Sequence, residues 1–463
     1  MVTVTDIQSE LNETVVDEIV PVTSVEEIGA AIVRAGETGR AVAIAGGRHA
    51  MGGQQFCAGA MLLDTRPLAR VLGFDRERGT IEVEAGIQWP ALIDHLAETQ
   101  AGREPQWGIA QKQTGADRLS IGGAIAANVH GRGLAMRPFV ADLESFLLVG
   151  AGGEALTCSR TENAELFALA TGGYGLFGCV SSATLRLVPR QTLERVVEVR
   201  SSDELMRAFE ERIREGFLYG DFQFATDAAS EDFLRKGVFS CYRPVEREGP
   251  PPADQRALSR ADWERLIHLA HTDKTRAFEV YAAHYLATSG QLYYSDAHQL
   301  SDYGDGYHRA LDERLGSSDR ATEMISEIYV PRERLADFLE AVADDFRRNG
   351  VNLIYGTIRL IERDDETFLA WATDRWACII FNLCTVHTDE GLARSADDFR
   401  RLIDVAVERG GSYYLTYHRW ATRAQVETCY PRFAEFLRLK RERDPEERFQ
   451  SDWYRHYRAL FGT

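Results

Sequence analysis

The stretch "AVAIAGGRHAMGGQQ", residues 41–55, decides how this chain is read. Its apolar run, Ala41 to Ala45, is too short for a helix and follows a turn, so it predicts a strand. The run ends in Gly46 and Gly47, then Arg48, His49 and Ala50, then Gly52 and Gly53. Glycines let backbone N–H groups approach a ligand closely, and successive N–H groups in such a turn make an anion-binding nest. Arg48 adds a fixed positive charge. The plainer alternative is a turn histidine in a small-residue loop.

Two later stretches share this character. "KQTGADRLSIGGAIAANVHGRG", residues 112–133, has paired glycines, small residues throughout and a His-Gly at His130 and Gly131. Alone it reads equally well as a packing segment. Together the two stretches could enclose a long, flat, phosphorylated cofactor. In "GGYGLFG", Gly173, Gly175 and Gly178 fit G-x-G-x-x-G. A helix-like segment precedes it and a strand follows, the reverse of a Rossmann fingerprint, which excludes that reading. No phosphate-binding P-loop, G-x-S-x-G elbow or H-E-x-x-H motif is present.

At 463 residues, two or three domains are expected. Acidic residues outnumber basic ones, 71 to 53, for a formal charge of -18. Nucleic acid and anionic membrane are disfavoured as partners, since both need basic patches. The first twenty residues lack the basic and apolar regions of a secretory signal, and no run reaches the length of a membrane span. The seven cysteines are scattered without a Cys-x-x-Cys pair, against both a disulfide framework and a zinc site. A cytoplasmic, reducing compartment, no membrane insertion and no metal are the expectations.

Patterning outlines the elements. "TSVEEIGAAIVRAGETG" predicts a helix with capping-box spacing at Ser24 and Glu27 and an end at Gly36. Residues 80–87 alternate as a half-buried strand, and "WPALIDHLAET" places proline at a helix start. Residues 137–189 read as strand, turn, helix and strand. The Pro-rich stretch 241–263 predicts a surface loop or lid. Beyond it, two amphipathic helices that stop at glycine alternate with strand-like runs, "VNLIYGTIRLI" and "CIIFNLCTV". That pattern suggests an α+β layer with helices on one face.

The order "GGRHAMGG", "TGADRLSIGGAIAANVHG", "GGYGLFGCVSSATLRLV" resembles the FAD-binding domain of the vanillyl-alcohol oxidase / p-cresol methylhydroxylase (PCMH-type) family. The nearest groups are the alditol, aldonolactone and decaprenylphosphoryl-ribose oxidases. The resemblance implies an α+β fold: a two-subdomain FAD-binding domain at 18–190 after an arm at 1–17, and a substrate domain at 191–427. The latter would be an antiparallel sheet covered by helices, and 428–463 would return to the FAD domain.

By the same resemblance, Ala45, Gly46, Gly47, Arg48, His49 and Ala50 wrap the FAD pyrophosphate. His49 would carry the flavin covalently, as in the similar Gly-Thr-Arg-His-Ser loop of alditol oxidases, from which Ala50 departs. Gly115, Ser120, Gly122, Gly123 and Asn128 would serve the pyrophosphate and ribitol, His130 and Tyr414 the flavin, and Val180 the adenine end. No second, cysteinyl attachment is implied, because no cysteine lies between Trp107 and His130. Catalytic candidates are Glu327 as base, with His418 or Tyr417 behind it, and Arg359 for a polar substrate or a negatively charged oxygen. Two lysines of the ribose-oxidase group are replaced here.

The activity implied is FAD-dependent oxidation of a CH–OH group in a polyol, sugar, lactone or other secondary alcohol. O2 or another acceptor would reoxidise the flavin. Val129, before His130, stands where related dehydrogenases shield the flavin from oxygen. The alternatives are oxidative tailoring or cyclisation of a natural product, and a non-catalytic FAD-binding protein.

Overall fold

Three short strands, Glu18–Pro21, Met61–Asp64 and Val42–Ala45, pair in parallel in that spatial order. They belong to a computed structural model that describes residues 1–247, 249–301 and 306–462. Parallel neighbours need a crossover, and helix Val25–Glu37 supplies one. Ser24 caps it, accepting from the Glu27 N–H at 3.2 Å. The Glu27 carboxylate turns to Thr23 instead of closing the expected box. The helix runs one residue past Gly36, and the left-handed residue is Gly39 (φ 65°). Its face of Ile28, Ile32 and Ala35 is buried with Val42, Met61, Leu63 and Phe449.

The second sheet is antiparallel. Its order is Ala155–Ser159, Leu143–Val149, Cys179–Pro189, Thr80–Glu84 and Val71–Asp75, with Trp107–Ile109 pairing the far end of Cys179–Pro189. The 80–87 pattern thus forms a strand only as far as Glu84, and helix Trp89–Thr99 follows. Between residues 137 and 189 the fold adds one strand, Ala155–Ser159, to those expected.

The third sheet has eight strands, in the order Leu292–Tyr294, Thr192–Ser201, Lys236–Pro244, Tyr219–Phe224, Leu353–Ile361, Trp376–Val386, Ala321–Pro331 and Ser412–Tyr413. Every pairing in it is antiparallel. Alternation gives it two unlike faces. One is apolar, with Phe338, Phe346 and Phe399 of helices Leu335–Asn349 and Asp389–Val407 buried in the same core as Phe381 and Ile379. The other is polar, and helices Arg260–Thr272 and Lys274–Leu286 lie over it. Helices therefore cover both faces, not the single face that the pattern suggested. The 241–263 stretch is only partly a loop: Cys241–Pro244 ends a strand, a helix starts at Arg260, and Glu248 lies outside the described residues.

The C-terminal stretch lies against the parallel sheet. Val42 donates to the Arg448 carbonyl at 2.7 Å and accepts from the Gln450 N–H at 3.0 Å. Helix Asp452–Phe461 then buries Trp453, Tyr454 and Tyr457.

Candidate active site

A cleft opens between the parallel and antiparallel sheets. It encloses about 1010 Å³ of non-protein space, part of it continuous with solvent. The Gly46–Ala50 loop forms one wall, and Gly122, Gly123, Gly175 and Val180 lie on the other. The walls are glycine-rich for a steric reason. A Cβ on Gly46 would lie 2.1 Å from Ser120 Oγ, and one on Gly47 would lie 2.2 Å from the Arg118 carbonyl oxygen. Arg48 occupies the left-handed region (φ 61°), a strained conformation for a residue with a long side chain. The backbone N–H groups of Gly47, Arg48 and Ala50 donate to no acceptor among the described residues. Asp64 lies 3.8 Å from the Arg48 guanidinium. Unused N–H groups and a cation at the mouth of a deep, glycine-lined cleft fit the pyrophosphate and flat ring of FAD.

Above the far end of the cleft sits a buried cluster. Glu327, on strand Ala321–Pro331, is 2% exposed. Its Oε1 meets His130 Nε2 at 2.8 Å and accepts from the Tyr329 hydroxyl, while Oε2 accepts from the Tyr417 hydroxyl at 3.3 Å. His130 Nδ1 faces the Gly131 carbonyl at 2.9 Å. A carbonyl only accepts, so Nδ1 carries the hydrogen of that contact. Burial pushes the Glu327 carboxyl up. The charge and hydrogen bond of His130, the Tyr329 hydroxyl and the Arg359 charge outweigh it and hold the group below its ordinary range. Burial first, and then the Glu327 charge, push the Tyr417 hydroxyl well up, so it stays protonated.

His130, Glu327 and Cys378 bring their donor atoms within 4.8 Å of one another. Nε2 and Oε1 already bond each other, and burial holds Cys378 as a neutral thiol, so the trio reads as a hydrogen-bonded cluster. Arg359 is 5% exposed, its side chain makes no hydrogen bond or ion pair with the described residues, and its Nε is buried. Its charge faces Glu327 and Tyr417.

The structure sorts the residues singled out by sequence. Gly46, Gly47, Arg48, His49, Ala50, Gly122, Gly123, Val180 and Tyr417 line the cleft. Glu327, Arg359, His130 and Tyr417 come together, and Tyr414 packs beside them, 6.5 Å from the His130 ring, its hydroxyl bonded to the Ala127 carbonyl.

Others hold the frame instead. Ala45 O accepts from Thr65 N at 2.9 Å, Ser120 Oγ accepts from Gly123 N at 3.3 Å, and Gly115 N donates to Ser301 Oγ at 2.9 Å. Asn128 is fully engaged, donating to Asp364 at 3.0 Å and accepting from Val140 N at 2.9 Å. His418 is not brought to Glu327. It stacks on Phe399 at 4.7 Å beside Tyr413 and Trp420, and burial drops its imidazole to about 3, so it stays neutral. That removes the physical basis for a proton-transfer role.

Sequence reasoning passed over Thr65, Gln113, Tyr174 and Thr416, which also line the cleft. Thr65 and Thr416 lie outside the glycine motifs, whereas Gln113 and Tyr174 lie within stretches 112–133 and 172–178 but are not glycines, and Gly175 and Gly178, set aside with the Rossmann pattern, were the nearest signal to Tyr174.

Comparison with known proteins agrees with this geometry. A family model described as an FAD binding domain matches residues 16–159. The matches fit the PCMH-type FAD-linked oxidoreductases of the aldonolactone oxidase group. The chain is an FAD-dependent oxidase or dehydrogenase acting on CH–OH donors. Over 452 residues it is 26% identical to an L-gulono-1,4-lactone dehydrogenase of Mycobacterium tuberculosis, covering 94% of this chain and 95% of that protein. It is 24% identical to a decaprenylphosphoryl-beta-D-ribose oxidase of Mycolicibacterium smegmatis, covering 94% and 93%. With L-gulonolactone oxidase of Bos taurus it shares 29% identity over 173 residues, 37% of each chain. Among the described residues, no helix is long and apolar enough to cross a membrane.

Proposed function

We propose that the chain oxidises a secondary hydroxyl of a sugar lactone or polyol at the end of the cleft where Tyr417 meets Glu327. The observation that carries this reading is a buried, ionised carboxylate linked by one tyrosine hydroxyl to the cofactor cleft. Oxidation of CH–OH needs a hydride acceptor and a proton acceptor together; FAD, when bound, supplies the first.

This chain's residues supply the second. Tyr417 cannot store negative charge, because its hydroxyl is held well above its ordinary range. It can pass a proton on: the substrate hydroxyl gives its proton to the Tyr417 oxygen as the Tyr417 proton moves to Glu327 Oε2. His130 stabilises the carboxylate beforehand, and Arg359 is placed to hold a carbonyl or alkoxide oxygen. Val129, buried at the cleft wall, supports slow access of O2 and preference for another electron acceptor.

His49 is the proposed point of covalent flavin attachment, because its side chain lines the cleft within the unused N–H loop. Acid precipitation of the purified protein tests this. Yellow colour should stay with the wild-type pellet and leave with the supernatant for His49→Ala; flavin released from the wild type would refute the covalent bond. Turnover of L-gulono-1,4-lactone and D-sorbitol, with O2 and with an artificial acceptor, tests the activity.

A further inference from the structure

The polar face of the third sheet carries a row of side chains that includes, beside Glu327 and Arg359, several to which the reaction above gives no role. Glu327 stands opposite Ile380, and Ile380 opposite Thr357, so the three share one face. Two residues along in one direction, the same face presents Tyr329, Cys378 and Arg359; in the other it presents Ile325, Asn382 and Tyr355. An antiparallel sheet with one apolar and one polar face usually turns the polar side to water. Here that side is enclosed: Thr357 is 1% exposed and Asn382 4%.

Three atoms of this row, Thr357 Oγ1, Asn382 Oδ1 and Arg359 Nε, are buried with no hydrogen-bond partner among the described residues. Unpaired buried polar atoms are costly, and native proteins rarely keep several close together without a ligand or ordered water. Beyond Asn382 the face continues to Glu323 and Cys384, which stand opposite each other and line a second hollow.

We propose that Thr357 and Asn382 determine specificity by reading the hydroxyl groups of an elongated, polyhydroxylated substrate. Its oxidised carbon lies at Tyr417, and its remaining hydroxyls run along the strands towards Glu323. A hydroxyl can donate to the Asn382 amide oxygen and either donate to or accept from Thr357, while Arg359 Nε donates to an acceptor oxygen. Thr357 and Asn382 are offset by roughly 7 Å along the strands, the reach of a short polyol chain. A substrate with one hydroxyl would leave these atoms unpaired, and a site built for hydrogen bonding rejects such a ligand strongly.

The inference rests on the oxidation proposed above, and its test separates the two. The FAD-loaded full chain is compared with Thr357→Val, Thr357→Ser and Asn382→Leu. Turnover and calorimetric binding are measured for L-gulono-1,4-lactone, D-sorbitol and the one-hydroxyl compound α-hydroxy-γ-butyrolactone. Thr357→Val and Asn382→Leu should each raise KM and Kd for the polyhydroxylated compounds about tenfold with kcat kept. Thr357→Ser should restore the wild-type values, and the one-hydroxyl lactone should be unaffected.

Unchanged Kd for L-gulono-1,4-lactone and D-sorbitol in both folded variants would overturn the proposal and leave the row as a seat for structural water only. Equal binding of all three compounds by the wild type would overturn it too, with oxidation left standing. Binding that weakens in the variants without turnover of any compound would keep the row and remove the oxidation reading. A wild type that neither binds nor oxidises a polyhydroxylated compound removes both.

Discussion

Glu327 is an acid that burial alone would neutralise, and His130 keeps it ionised. That dependence has a sign. In the wild type the proton-accepting form persists as pH falls, until the lowered Glu327 value is crossed. His130→Gln keeps a hydrogen-bond donor but removes the histidine's electrostatic contribution, so burial pushes the Glu327 carboxyl up. The acid limb of kcat/KM should therefore move to higher pH in His130→Gln, with flavin content unchanged; a pH–rate profile that coincides with the wild type's would refute the pairing.

Each of these residues was visible in the sequence, but their union was not. His130 and Glu327 are separated by 197 positions, and only the docking of the glycine-rich turn onto the third sheet brings them together. His418 shows the converse. Its neighbour Tyr417 faces the cleft, and the turn sends the next side chain into an aromatic stack. Adjacency along the chain carried no information about which way the ring would point.

At the scale of elements, the glycine loops were the most legible parts, because their residue types answer to backbone approach and not to packing. Gly47 faces a backbone carbonyl, which cannot swing aside as a side chain can. Gly47→Ala should push the two loops apart and lower the flavin bound per protein severalfold, measured as the ratio of flavin to protein absorbance. The same ratio as the wild type would show that the loop contact is not what shapes the cleft.

The strands of the third sheet were less readable. Leu353–Ile361 and Trp376–Val386 are buried on both faces, so apolar residues fill one side and enclosed polar ones interrupt the other. The expected alternation of wet and dry positions is lost. Strands Thr192–Ser201 and Lys236–Pro244 lie under helix Lys274–Leu286, and Leu353–Ile361 lies under helix Arg260–Thr272. A pattern read for one helical layer could not foresee a second.

Across the whole molecule, the chain closes on itself. Arg448 and Gln450 bond to Val42 on the strand that leads into the flavin loop, and Trp453 anchors the last helix at 0% exposure against Tyr174, Phe433 and Tyr457. Trp453→Ala should destabilise the fold by about 3–5 kcal/mol, seen as a lowered denaturation midpoint. Because Tyr174 lines the cofactor cleft, flavin loss should accompany it. A midpoint close to the wild type's would mean that the tail docks without supporting the fold.

On the proposed reaction, the cleft and the Glu327 cluster are two halves of one oxidising site. Anaerobic mixing of the FAD-loaded protein with L-gulono-1,4-lactone or D-sorbitol, followed by flavin absorbance, tests that claim most directly. The wild type should bleach without oxygen, and Glu327→Gln should slow bleaching by roughly 10²–10⁴ at equal flavin content. Flavin that stays fully oxidised with every lactone and polyol, or that Glu327→Gln reduces as fast as the wild type, would contradict it.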